Sequence, residues 1–309
     1  MSGEPILVIK LGALGDFVQA LGPMAAIRRH HPDQEITLLT SALYAPLARA
    51  SGLVDHVHID DRPRGLALGK WLALRRFLLG GRFGRVYDLQ TSDRSSWYYR
   101  LFFPGPKPQW SGIASGCSHP HANPKRDFMH TSDRQREQLN MAGIDTVPGA
   151  DLSWAEADLS KFDLPDRFAL LVPGGAPHRP AKRWPVEHFR TLSGWLSANG
   201  IMPVVLGTQE EQGLAREILG DGVDGLDLTG RTDLMELAVL ARRATCAVGN
   251  DTGPMHVMAA AGCPSVVLFS GASDPELCAP VGKNVSIVVQ PRLADLSVDR
   301  VVNKIDGIV

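Results

Sequence analysis

Residues 246–271, CAVGNDTGPMHVMAAAGCPSVVLFSG, constrain the fold more than any other part of the chain. A short apolar strand around Ala247 and Val248 runs into Gly249-Asn250-Asp251-Thr252-Gly253-Pro254, residue types that free the backbone or cap a helix. Asp251 or Thr252 is the expected N-cap, and Pro254 suits a first helical turn, where its missing N–H costs nothing. His256 falls in that turn. Ala259, Ala260, Ala261 and Gly262 are small enough for the helix to lie close against a sheet, and residues 265–269 read as the next strand. A helix N-terminus leaving a parallel sheet presents free N–H groups and a positive dipole end to an anion. The stretch therefore reads as a diphosphate cradle.

The rest of the chain repeats this alternation. Residues 5–11 form an apolar run with one lysine, as in a strand buried on both faces. Gly12-Ala13-Leu14-Gly15-Asp16 follows, then a helix to about residue 31. Strands are expected near 35–40, 54–59 and 86–90, and helices at 45–51, 66–79 (amphipathic, with an inner face) and 131–142. The pattern restarts at 168–172 and continues through strands at 202–206 and 226–228, with helices at 186–199, 210–219, 234–243 and 298–308. Alternation of this kind predicts parallel sheets, and 309 residues suit about two domains. The expected division is an N-terminal domain over 1–160 and a C-terminal domain over 161–309, with 144–166 as linker. The last helix is expected to pack back on the N-terminal domain. Residues 103–125, rich in Pro and Gly, read as an irregular excursion.

Acids and bases nearly cancel over the whole chain, but residues 62–136 hold 14 Lys/Arg against 4 Asp/Glu and 11 of the 20 aromatics. No nucleic-acid recognition motif accompanies this basic segment. No apolar run reaches the about 20 residues of a membrane span, and none ahead of the first strand reads as a secretory leader. Four scattered cysteines suit a reducing compartment. The expected location is the cytoplasm. His30-His31, His56/His58 and His119/His121 lack companions at zinc-like spacing, so no metal site is expected.

Four stretches carry a resemblance to glycosyltransferase family 9, the heptosyltransferases of lipopolysaccharide core assembly. VIKLGALGDFVQAL looks like the family's strand–GD–helix opening. RFGRVYDLQTSDRS resembles its second segment, with Gly84 where the family usually has Asp. LVPGGAPHRPAKRWPVEHF is similar to the donor-side motif, and GNDTGPMHVMAAAGCPSVVLFSGASDPELCAPVG to the family's C-terminal signature. Together they run nearly the full length. The resemblance implies a GT-B fold, α/β with two Rossmann-like domains facing a central cleft. It also implies inverting, metal-independent transfer with ADP-heptose as the usual donor and no cofactor.

On the residues alone, Asp16 is either a base for an acceptor hydroxyl or an acid satisfying the helix dipole; the resemblance makes it the base. Lys182 and Arg183 follow a strand end, and a departing diphosphate needs cations; the resemblance puts Lys182 on the donor phosphate. Thr252 and Gly253 offer hydroxyl and N–H to phosphate, and His256 a further donor. Asp251, which repels phosphate, caps the helix or bonds sugar hydroxyls. Glu211, with Glu210 competing, lies where such donor domains place an acid on the nucleotide ribose. Gly15, Arg94 and Arg100 are candidates on the acceptor side, for an anionic Kdo- or heptose-bearing glycolipid at the inner membrane surface, with peripheral association on its cytoplasmic face. The rival readings are transfer from another nucleotide sugar, a nucleotide-sugar epimerase, and a non-catalytic nucleotide-sugar-binding protein.

Overall fold

The computed structural model of the chain describes residues 3–176, 178–220 and 222–308. They divide into two compact units, one ending at Ala150 and one beginning at Asp151. The first runs β1 (Ile6–Ile9), α1 (Leu14–Gln19), α2 (Leu21–His30), β2 (Ile36–Thr40), α3 (Ala45–Ala50), β3 (His56–Ile59), α4 (Leu68–Gly80), β4 (Arg85–Asp88), α5 (Asp93–Arg100), β5 (Gln109–Gly112), β6 (His119–Pro120) and α6 (Thr131–Asn140). The second runs β7 (Phe168–Val172), α7 (Val186–Ala198), β8 (Met202–Val205), α8 (Gln212–Leu219), β9 (Leu226–Asp227), α9 (Leu234–Arg243), β10 (Cys246–Asn250), α10 (Gly253–Ala260), β11 (Ser265–Phe269), α11 (Pro275–Cys278), β12 (Val285–Val289) and α12 (Val298–Ile305).

Each unit has one six-stranded sheet, ordered β3-β2-β1-β4-β5-β6 and β12-β11-β10-β7-β8-β9. All pairings are parallel. Counted from the start of each unit, both orders are 3-2-1-4-5-6, the doubly wound Rossmann arrangement. Order reverses between β1 and β4, and again between β7 and β10. Loops leaving the carboxyl ends of such strands diverge and open a crevice for ligands. The central strands β1, β7, β10 and β11 are buried at every residue, as their unbroken apolar runs require.

Several expectations are corrected. The helix expected from residue 17 to 31 is interrupted at Ala20, which ends α1 and starts α2. Restarting at Leu21 puts Pro23 in a first turn, where no intrahelical N–H is needed. The Pro- and Gly-rich 103–125 stretch contributes β5 and β6, with Trp110 fully buried among Tyr99, Phe102 and Leu78. Proline is tolerated there because β6 is an edge strand. Helix α5 and strand β12 were not expected; α5 is announced by a capping box between Ser92 and Ser95. Helix α12 buries Val301 and Ile305 in the second unit's own core, in one cluster with Phe189 and Leu268. From Leu152 the expected linker is fastened to the second unit: its N–H donates to Ala260 O (3.0 Å), and Arg242 donates to the Leu152 and Ala155 carbonyls.

Helix α4 is less inward-facing than its pattern suggests. Only Leu74 and Leu78 are buried on it, while Leu72 stays 61 % exposed. In urea denaturation Leu78→Ala is expected to cost about 2–5 kcal/mol, and Leu72→Ser to stay within about 0.5 kcal/mol of the parent.

Candidate active site

At the reversal point of the second sheet, β10 ends on Asn250, whose side chain is fully buried. Its amide donates to the carbonyls of Pro173 (2.7 Å) and Gly174 (3.2 Å) beyond β7 and accepts the Trp184 N–H (2.9 Å). One side chain thus joins the loop after β7, the end of β10 and the segment entering α7. Thr252 is the N-cap of α10 and makes no side-chain cap bond; its hydroxyl donates back to Asn250 O (3.3 Å). Pro254 has no N–H and the Met255 N–H donates to Thr252 O (3.1 Å), so the Gly253 N–H is the first-turn amide left to a ligand or to water. His256 is buried in that turn.

Of the two expected N-caps the structure takes Thr252, and Asp251 does not cap the helix. One carboxylate oxygen accepts both Lys182 Nζ and the Ser273 hydroxyl, each at 2.6 Å. The ion pair is largely enclosed, with side chains 12 % and 7 % exposed. Lys182, expected on phosphate, thus carries a carboxylate partner. Arg183 donates to Gly175 O. Glu211, rather than Glu210, faces the same loop: its carboxylate accepts the Gly175 N–H (3.3 Å) and the N–H (2.8 Å) and hydroxyl (3.2 Å) of Thr208. A Cβ on Gly174 would lie 2.1 Å from Glu211 Oε1, so only glycine admits that carboxylate. A Cβ on Gly175 would meet Arg183 at 3.5 Å and the Thr252 methyl at 3.7 Å. The structure thus gathers Lys182, Arg183, Glu211, Asp251 and Thr252 around the 173–175 loop, beside the start of α10.

In the first unit Asp16 lies in the first turn of α1, partly exposed. No hydrogen bond from the described residues reaches its carboxylate. The turn that carries it is clamped. Gln90 Oε1, just past β4, accepts the N–H groups of Leu11 (2.8 Å) and Gly12 (3.2 Å). Ser41 and Arg62 both donate to Leu11 O. Gly12 has φ +126°, and a Cβ there would lie 2.8 Å from the Tyr44 ring, which stacks on Phe17. Gly15 is buried beside Asp16.

Beneath the turn sit two charges that sequence reasoning did not assign. Lys10 is buried and donates to Leu89 O (3.1 Å); burial lowers its pKa, and the carboxylates of Asp16 and Asp88 oppose that shift. Asp88 is fully buried, with one oxygen accepting the N–H groups of Gln90 (3.1 Å) and Thr91 (3.0 Å) and the other without a partner. Burial pushes its carboxyl up to about 6. The available signals were a lysine inside an apolar strand and an acid ending another.

The two candidate arginines are separated. Arg94, in the first turn of α5, donates to Pro63 O (2.9 Å). Arg100, in the last turn, is exposed and lies 4.9 Å from the Trp97 ring centroid. Gly84 is explained by Glu4, whose carboxylate would meet a Cβ there at 2.2 Å. The histidines are dispersed: His31 bonds the Tyr87 hydroxyl (2.8 Å) and His121 bonds Glu137 (2.7 Å). Among the described residues no three His, Cys, Asp or Glu side chains form a metal-ligand group.

Two doubly wound units, one with a polar cluster at a helix N-terminus and one with a carboxylate in the turn after its first strand, have the α/β architecture of a GT-B enzyme. Residues 71–303 match the model of glycosyltransferase family 9 (heptosyltransferase), and the chain belongs to that family. Lipopolysaccharide heptosyltransferase 1 of Escherichia coli K12 is 31% identical over 98% of this chain and 99% of that protein. The Salmonella typhimurium protein of the same description is 25% identical over 97% and 99%. A match to lipooligosaccharide heptosyltransferase 2 of Haemophilus influenzae, 31% identical, spans 37% of this chain and 34% of that one. Two solved structures share the fold along the whole chain. The family 9 glycosyltransferase of Veillonella parvula has TM-score 0.84 at 18% identity, covering 100% of this chain and 98% of that one. E. coli heptosyltransferase WaaC with ADP has TM-score 0.79 at 22% identity, covering 99% and 100%.

From the ordinary carboxylate range near 4 up to about 6, the folded chain keeps a proton on Asp88 that the unfolded chain has released. This group therefore lowers stability as pH rises through that window, by up to about 3 kcal/mol. Asp88→Asn keeps the accepting oxygen and removes the charge. It is expected to raise the thermal midpoint above about pH 6 and to flatten the profile between about pH 4 and 6; an unchanged profile refutes the assignment.

Proposed function

We propose that the chain is an inverting, metal-independent heptosyltransferase that moves heptose from ADP-heptose to a Kdo- or heptose-bearing lipid A acceptor of the lipopolysaccharide core. The observation that carries this reading is the cluster at the 173–175 loop and the start of α10: a lysine, a threonine hydroxyl and the uncapped Gly253 N–H in one place, with an acid alongside. Membership of the heptosyltransferase family and full-length likeness to lipopolysaccharide heptosyltransferase 1 support it. So does the shared fold with WaaC, solved with ADP and with ADP-2-deoxy-2-fluoro heptose.

In this reading Asp16 accepts the acceptor hydroxyl's proton as that oxygen bonds the anomeric carbon. The bond to the diphosphate breaks on the opposite face, which inverts the configuration. Charge gathering on the departing ADP is met by Lys182, Thr252, the Gly253 N–H and His256, so fixed protein dipoles and a cation do the work that a metal would otherwise do. Asp251 holds the Lys182 ammonium in place and leaves its remaining protons for phosphate. Glu211 takes the ribose hydroxyls, and Gly174 and Gly175 let the nucleotide approach the backbone. Arg94 stands on the acceptor side, and the enzyme works in the cytoplasm, at the cytoplasmic face of the inner membrane.

The test is nucleoside diphosphate release from a panel of ADP- and UDP-sugars, with and without a lipid A core acceptor. Acceptor-dependent ADP release from ADP-heptose is expected. Asp16→Asn should lower kcat about 10²–10⁴-fold while donor Kd moves less than about twofold. Release from UDP-sugars only would replace the donor, and donor binding without release under any acceptor would leave a binding protein.

Gly174→Ala forces the Glu211 carboxylate off the loop. It is expected to weaken ADP binding about tenfold or more by isothermal calorimetry, in line with loss of a charge-assisted hydrogen bond. Unchanged affinity would remove Glu211 from the donor site.

A further inference from the structure

Exposed apolar residues of the first unit fall together. Leu66 is 93 %, Leu68 66 % and Leu72 61 % exposed, running from the loop after β3 into α4. Leu68, Leu72 and Arg76 recur every fourth residue, one stripe turned away from the buried Leu74 and Leu78. Phe103, 73 % exposed, joins this surface: the Arg75 guanidinium donates to its carbonyl at 3.1 Å. Residues 62–82 carry Arg62, Arg64, Lys70, Arg75, Arg76 and Arg82 and no acid. Single exposed leucines are ordinary. A run of them among six cations, with Asp61 beside Lys70 (4.0 Å) as the neighbouring acid, has the composition of a helix lying in a lipid interface.

We propose that residues 66–76, with Phe103, dock on an anionic lipid bilayer, the leucines entering the headgroup boundary while Arg64, Lys70 and Arg76 meet lipid phosphates. No helix among the described residues is long and apolar enough to cross a membrane, so the contact lies on the surface. The proposal deepens the lipid-acceptor reading and rests on it: acyl chains must stay in the bilayer while the saccharide reaches Asp16. The loop bearing Leu66 leaves the carboxyl edge of the first sheet, as does the turn bearing Asp16, and Arg62 ties the two by donating to Leu11 O. Charge selects the occupant, because a second copy in symmetric contact would set two cationic faces against each other.

The experiment is co-sedimentation with phosphatidylglycerol-containing vesicles and with phosphatidylcholine vesicles, beside ADP release from ADP-heptose with a vesicle-embedded acceptor and with a deacylated, water-soluble one. The parent should bind the anionic vesicles and leave the neutral ones. Leu66→Ser/Leu68→Ser/Leu72→Ser should weaken binding about tenfold or more, and Arg64→Glu/Arg76→Glu at least about fivefold for each charge removed. Both variants should keep the parent's thermal midpoint and its rate on the soluble acceptor, and lose rate only on the embedded one. Equal binding to both vesicle types, no binding to either, or variants that bind like the parent would overturn the proposal. A leucine-dependent dimer in sedimentation velocity, without vesicle binding, would assign the face to a second copy instead. Vesicle binding with no transfer to either acceptor would sink the activity and leave the docking face standing.

Discussion

Where the order of a parallel sheet reverses, the first and fourth strands lie side by side but their chains leave in opposite directions, and backbone groups at their ends lose their ladder partners. In both units a side-chain amide closes that gap. Gln90, past β4, accepts two N–H groups from the turn after β1. Asn250, at the end of β10, donates to two carbonyls after β7. The amide carries both a donor and an acceptor group, which lets the same functional group serve a turn short of acceptors and a turn short of donors. An unmet buried backbone group costs on the order of 1–3 kcal/mol, so the shape of each crevice depends on these contacts. The Asp16 turn and the 173–175 loop are both held by them.

The two units treat buried charge differently. In the second, Lys182 and Asp251 neutralise one another at 2.6 Å, and Ser273 supplies a further bond. In the first, Lys10 and Asp88 lie under the Asp16 turn without touching closely enough to pair, and burial moves each toward its neutral form. The enclosed Lys182–Asp251 pair costs desolvation and returns order more than stability.

The organising stretch was legible as strand, turn and helix because its residue types act locally: an apolar run, glycines, a proline in a first turn. Boundaries at β7, α9 and β11 matched for the same reason. Of the two roles expected of Asp251, the helix cap did not hold, since a cap is a local bond whereas its partner Lys182 lies 69 residues away. Glu211 was preferred over Glu210 only weakly from the sequence, and the space at Gly174 is what separates them. Lys10 and Gln90 went unassigned because each bonds across neighbouring strands, and Asp88 because its burial is set by the packing around it. Strands β5 and β12 were missed because short segments flanked by proline and glycine, or by polar turns, carry little periodicity of their own.

By itself the sequence determined the fold class, two doubly wound units, and the residue types of a diphosphate cradle, because period, turn chemistry and capping are set by neighbours along the chain. Its motifs also determined the family. Which acid faces the loop, which carboxylate holds the lysine, and which leucines of α4 stay in water were decided only by tertiary structure. Those depend on Cβ clearances and on contacts between residues tens of positions apart, and no local pattern encodes them.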